Sequence, residues 1–91
     1  MPMPCAIETT QRFRSTVKGR EAAVARVLAE IQSGFGHPHR HAGLGIRKLG
    51  PNLFECRAGL KLRLIFVARK GVLTFDFAGD HQEVRDYLRG R

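Results

Sequence analysis

The sequence predicts a small α+β domain: an N-terminal helical hairpin packed on a curled, mainly antiparallel sheet, with a short closing helix. Three observations lead there. From Leu53 onward, Phe54, Cys56, Leu60, Leu62, Leu64 and Phe66 recur at every second position, with Glu55, Arg57, Lys61, Arg63, Ile65 and Val67 between them, and a period of two sends successive side chains to opposite faces of a sheet. Upstream, Val24, Val27, Leu28 and Ile31 follow the i, i+3, i+4, i+7 spacing of a half-buried helix. The length, 91 residues, suits one small core, so a single domain over residues 1–91 is expected.

In chain order, Cys5–Thr9 suits a brief first strand. Thr9 or Thr10 then suits a helix N-cap, its hydroxyl accepting from an otherwise unpaired amide. Phe13 and Val17, four apart, give the first helix one apolar stripe, and Lys18-Gly19-Arg20 breaks it. Glu21–Ser33 carries the clearest helical pattern, strengthened by Ala22, Ala23, Ala25 and Ala29, and Gly34 and Gly36 stop it. So short a break should fold the two helices into a hairpin whose stripes cover one sheet face. Phe35–Gly45 reads as a loop rich in Gly and His. Its His37, His39 and His41 are interrupted by Pro38 and have no Cys or carboxylate nearby, so no metal is expected there, and no cofactor elsewhere. Ile46–Leu49 resumes structure before a turn at Gly50-Pro51-Asn52. The sheet strands follow, with a tight turn at Ala58-Gly59 that resets the alternation and another at Arg69-Lys70-Gly71. Gly79-Asp80-His81 then leads into a helix bearing Val84, Tyr87 and Leu88.

Sixteen Lys and Arg stand against eight Asp and Glu, a formal +8. The first fifty residues hold eight basic and three acidic groups, the remainder eight and five, so the charge is spread along the chain. Such an excess on a small body favours polyanionic partners: nucleic acid, the ribosome, an acidic protein or an anionic surface. Cys5 and Cys56 lack metal-ligand spacing, and Cys56 reads as a small buried hydrophobe. No stretch approaches a membrane span, and the N-terminus lacks a charged start followed by an apolar run. No membrane partner is expected, and a reducing cytoplasm is.

With that order of elements, the motifs IRKLGPNLFECR, LRLIF and FAGDHQEV resemble the RelE/ParE superfamily of bacterial toxin–antitoxin toxins, from about Ile7 to Leu88. The resemblance implies a toxin of a type II system. It further implies a ribosome-dependent mRNA endonuclease that uses the substrate's 2′-hydroxyl, inhibits translation and is neutralised by a cognate antitoxin. On this resemblance Arg63 matches the central-strand arginine, Arg57 the basic residue of the preceding strand and His81 the residue after the last strand; these three are the expected catalytic groups. Lys61, His41, Arg47, Lys48 and Arg85 are the expected RNA-binding groups. Several relatives carry an aromatic residue where this sequence has Arg85, and Tyr87 follows two positions later.

The chemistry fits those residue types. A planar guanidinium bonds two phosphate oxygens at once, and an imidazole exchanges protons near neutrality. Each residue also has a purely structural alternative. Arg63 suits pairing with Glu55 or Asp76 across strands, His81 suits a turn before the helix, and Tyr87 suits a helix-to-core contact. Two other functions share the resemblance: a ParE-like gyrase inhibitor that cuts nothing, and a degenerate basic module binding RNA or protein.

Overall fold

The computed structural model describes residues 5–90, with the side chains of Pro38, His39 and Ala42 left aside. Its elements are β1 (Ala6–Thr9), α1 (Gln11–Thr16), α2 (Glu21–Gly34), α3 (Pro38–Leu44), β2 (Arg47–Gly50), β3 (Leu53–Ala58), β4 (Leu62–Arg69), β5 (Val72–Gly79) and α4 (His81–Arg89). The strands form one sheet in the order β1-β5-β4-β3-β2. β1 runs parallel to β5, and the other neighbours are antiparallel. The β4–β5 hairpin closes through Lys70 at φ 49 and Gly71 at φ 80, a left-handed pair whose twist matches that of the strands. Thr10 is the cap of α1, its hydroxyl accepting from Phe13 N–H at 3.1 Å.

One face of the sheet holds the main core. Phe13, Val17, Val24 and Ile31 descend from α1, its C-terminal end and α2 onto Cys56, Leu62, Leu64, Phe66, Leu73 and Phe75. The Phe66 ring stacks on Phe75 at 4.7 Å and on Phe54 at 5.6 Å, and Phe35 meets Phe54 and Phe66 edge-on. The parity of β3 and β4 is therefore as the alternation predicts. Leu60, expected on the apolar face with them, instead falls in the turn at 59–61, outside the pleat of either strand, and is 99% exposed.

On the other face α4 lies against β5 and β4. Tyr87 stacks on Phe77 at 4.5 Å, and Ile65 and Val84 are buried outside the main cluster. α4 covers that end, and among the described residues no helix packs on the β3 and β2 portion of this face.

The expected loop at Phe35–Gly45 is in large part a helix. Pro38 stands first in α3, where its missing N–H costs nothing. His41 Nε2 accepts from Gly36 N–H at 3.0 Å, and the His41 carbonyl accepts from Ile46 N–H at 2.9 Å, so one residue ties both ends of the segment. Sequence composition alone gave no sign of these bonds, because they depend on where α2 ends. Among the described residues, no helix is long and apolar enough to cross a membrane.

Candidate functional site

Two neighbouring rows of residues cross the face of the sheet that α4 partly covers. In the first, Arg57 of β3 stands opposite Arg63 of β4, and Arg63 opposite Gly79 of β5. In the second, Arg47 of β2 faces Glu55, Glu55 faces Ile65, and Ile65 faces Phe77. The alternation that buries Cys56 and Leu64 on the covered face is what turns Arg57 and Arg63 out on this one.

The basic row ends at the start of α4. Asp80 caps that helix, its Oδ1 accepting from Glu83 N–H at 2.8 Å while Glu83 Oε1 accepts from Asp80 N–H at 2.9 Å. This reciprocal box fixes the first turn and places His81 at the first helical position. Gly79 permits the approach: a Cβ there would lie 2.8 Å from Glu83 Cβ and 3.0 Å from a Phe77 ring carbon. His81 and Arg63 line one cavity of about 330 Å³ with Leu60, Lys61, Asp80 and Gln82. An imidazole, a guanidinium and an ammonium thus border the same hollow, and the β3–β4 turn supplies its outer wall.

Arg57 and Arg47 line an adjoining hollow of about 290 Å³ with Gly45, Ile46 and Glu55. Gly45 has φ +66, and a Cβ on it would sit 2.9 Å from Arg57 Cγ, so the α3–β2 connection passes directly over the Arg57 stem. Between the two hollows sits Glu55, 4% exposed. Its Oε2 accepts from Arg63 Nη1 at 3.0 Å and lies 3.8 Å from Arg47 Nε. Of the two structural partners proposed for Arg63, Glu55 is the one observed, and it engages Nη1 only.

The remaining expected residues are distributed differently. Arg85 is exposed one turn beyond His81 on α4. Lys48 pairs with Phe54, which puts it on the parity of the helix-covered face, unlike Arg47. His41 stacks on Phe35 at 5.5 Å and accepts from Gly36, so its ring belongs to the α2–α3 junction. Tyr87 anchors α4: its hydroxyl donates to Asp76 Oδ2, which also pairs with Arg12 Nη1 at 3.3 Å, and the Arg12 guanidinium lies 5.7 Å from the Tyr87 ring centre. That cluster borders a separate hollow with Phe77, Glu83 and Asp86.

Cys56 lies under the arginine rows on the covered face. Burial, and then the Glu55 charge, push its thiol from 9.0 up to about 12, so it stays protonated and is a poor nucleophile. Among the described residues no three His, Cys, Asp or Glu side chains gather as a metal site would require. Glu55 enters the sequence analysis only as a pairing partner of Arg63, and Leu60 only as an apolar strand residue; both are neighbours of the site. The signal for Glu55 was its spacing two before Arg57, which puts both on one face.

No family model matches the chain, and no curated protein matches it in sequence. Similarity appears in three dimensions. The fold superimposes on YafQ from E. coli strain BL21(DE3) over 88% of this chain and 97% of that one, with TM-score 0.67 at 16% identity. A chain of the E. coli DinJ–YafQ complex gives TM-score 0.68 at the same coverage and identity. A chain of the archaeal RelE–RelB complex from Pyrococcus horikoshii OT3 gives 0.64 at 16% identity, covering 86% of this chain and 96% of that one. The protein has the RelE-like fold.

Proposed function

We propose that this protein is the toxin of a type II toxin–antitoxin system and cleaves mRNA on the ribosome, in the cytoplasm, without a metal. One observation carries the reading: Arg63, Lys61 and His81 border a single hollow between the β3–β4 turn and the first turn of α4. Fold likeness alone would not separate a nuclease from a gyrase inhibitor. A guanidinium beside an exposed imidazole is what phosphodiester chemistry asks for, and a protein that only docks on gyrase has no use for it.

In this reading the substrate's 2′-hydroxyl oxygen attacks the phosphorus and the bond to the 5′-oxygen breaks. The products are a 2′,3′-cyclic phosphate and a free 5′-hydroxyl. Arg63 and Lys61 hold the non-bridging oxygens as negative charge builds on them, and His81 protonates the departing 5′-oxygen. The 2′-hydroxyl also distinguishes RNA from DNA. Asp80 is committed to its cap, so among the described residues the hollow offers one proton carrier for two proton transfers. The second transfer falls to the surroundings, which accords with a reaction completed inside a larger assembly. Arg47, Arg57 and Arg85 extend the cationic surface along which the strand lies.

The neighbours crystallised as DinJ–YafQ and RelE–RelB complexes support an antitoxin as the protein partner. The test is a translation reaction with mRNA ends mapped by primer extension. Codon-phased cuts by the wild type that vanish in His81→Gln are expected. A wild type that leaves mRNA whole refutes the nuclease, and DNA damage in its place selects the gyrase reading.

A further inference from the structure

We propose that Glu55 is a positioning residue of this site: it fixes the Arg63 guanidinium for the scissile phosphate and, as the resident anion of the cluster, gives up RNA affinity in return. The proposal rests on the RNA-cleaving reading and deepens it. It starts from the fact that Glu55 is the one buried charged residue among the described ones. A buried ion pair is weak as a stabilising device, because an apolar pair of the same volume commonly serves as well. The pair therefore calls for another account.

The geometry supplies it. Glu55 faces Arg47 on β2 and reaches diagonally to Arg63 on β4, next to Arg57 on its own strand. Three guanidinium groups on adjacent rows repel one another, and a long arginine stem left to itself samples many rotamers. The carboxylate takes Nη1 of Arg63 at 3.0 Å and no other of its N–H groups, which leaves the rest of the fork for a phosphate. Glu55 does not line the hollow that holds His81, so it acts through Arg63 and not on the reacting atoms.

Opposite effects on binding and cleavage follow. Glu55→Gln keeps the shape, removes one negative charge and loosens Arg63. Binding of a 2′-O-methyl oligoribonucleotide, which cannot be cut, should tighten about three- to tenfold, and its salt dependence should steepen by about 0.7 in log–log slope. Single-turnover cleavage on the ribosome should fall about ten- to a hundredfold, the cost of misplacing a charge-stabilising donor. Cleavage unchanged or faster would overturn the proposal, making Glu55 a mere competitor of substrate. Binding and cleavage falling together with the melting temperature would also overturn it, making Glu55 a packing residue.

Should the Gln variant fail to fold, Glu55→Asp keeps the charge but shortens the reach; slower cleavage at unchanged affinity is expected, and unimpaired cleavage refutes. If the wild type cuts nothing, the nuclease reading falls by itself. The oligonucleotide then decides: tightening in Glu55→Gln that disappears in Glu55→Gln/Arg63→Gln supports the restraint on Arg63, and unchanged affinity overturns it.

Discussion

Replacing Arg63 with Gln should damage stability as well as chemistry, and the two losses are separable. The substitution strands the Glu55 carboxylate, 4% exposed, with Arg47 at 3.8 Å as its remaining ion-pair partner. Breaking a buried pair from one side typically costs about 3–5 kcal/mol. Here Arg63 keeps 20% of its side chain exposed and Arg47 stays in place, so about 2–3 kcal/mol is the appropriate figure. For a domain this small, each kcal/mol moves the midpoint by roughly 4–8 °C, so a fall of about 10–20 °C is expected. Urea melts followed by circular dichroism measure it directly. The double variant Arg63→Gln/Glu55→Gln removes both charges and should recover at least half of the lost stability while cleavage stays abolished. A single variant within about 0.5 kcal/mol of wild type, the range of ordinary surface changes, would refute the view that the pair is buried and coupled.

His81→Gln removes an exposed side chain, so cleavage should drop roughly 10²- to 10⁴-fold with the melting temperature within a few degrees of wild type, read by primer extension and thermal melts in parallel. The Cys56 thiol sets a pH dependence. Its folded value of about 12 lies above the ordinary 9.0, so above that lower value the folded state binds more protons than the unfolded chain. The stability it contributes is fully present below 9.0 and lost as pH rises towards 12, about 1.4 kcal/mol by about pH 10. Cys56→Ala should show a correspondingly flatter decline in urea melts, and equal slopes would contradict the shift. Gly45→Ala combines a left-handed backbone with a Cβ pressed against Arg57, so a loss of about 1–2 kcal/mol and weaker oligonucleotide binding are expected by melts and anisotropy. Tyr87→Phe removes a hydroxyl from an Asp76 that Arg12 still pairs, and should cost about 1 kcal/mol, with faster amide exchange confined to α4.

What was legible in the sequence was periodic. The stripe of α2 and the alternation of β3 and β4 announce themselves because each repeats its spacing several times before a Gly-containing break, whereas α1 offers only the single interval from Phe13 to Val17. α3 gives no such signal, since Pro38, two histidines and Gly43 are poor helix formers held by bonds that the Gly36 and Ile46 N–H groups donate to His41 and that no local window contains. The parallel pairing of β1 with β5 was equally hidden: Ile7 meets Leu73 across most of the chain, and four residues are too few to declare a strand. At the site, Arg57 and Arg63 share a face by parity, but the division between their hollows depends on Glu55 folding inward, where a strand acid would ordinarily be solvated. Tyr87 shows the reverse case. Its spacing from Val84 suggested a contact residue, and its ring does lie on Phe77.

The order of strands also fixes when the protein can act. β1 is made early, yet its sheet neighbour is β5, and His81 is added only after that strand is complete. Until then a growing chain has its first strand unpaired, its amphipathic helices without a floor and its arginines without their imidazole. Nothing resembling the finished hollow exists on a partial chain. For a protein whose proposed target is the translating ribosome, the machine that builds it is thereby shielded from its own product until β5 and the start of α4 have been made.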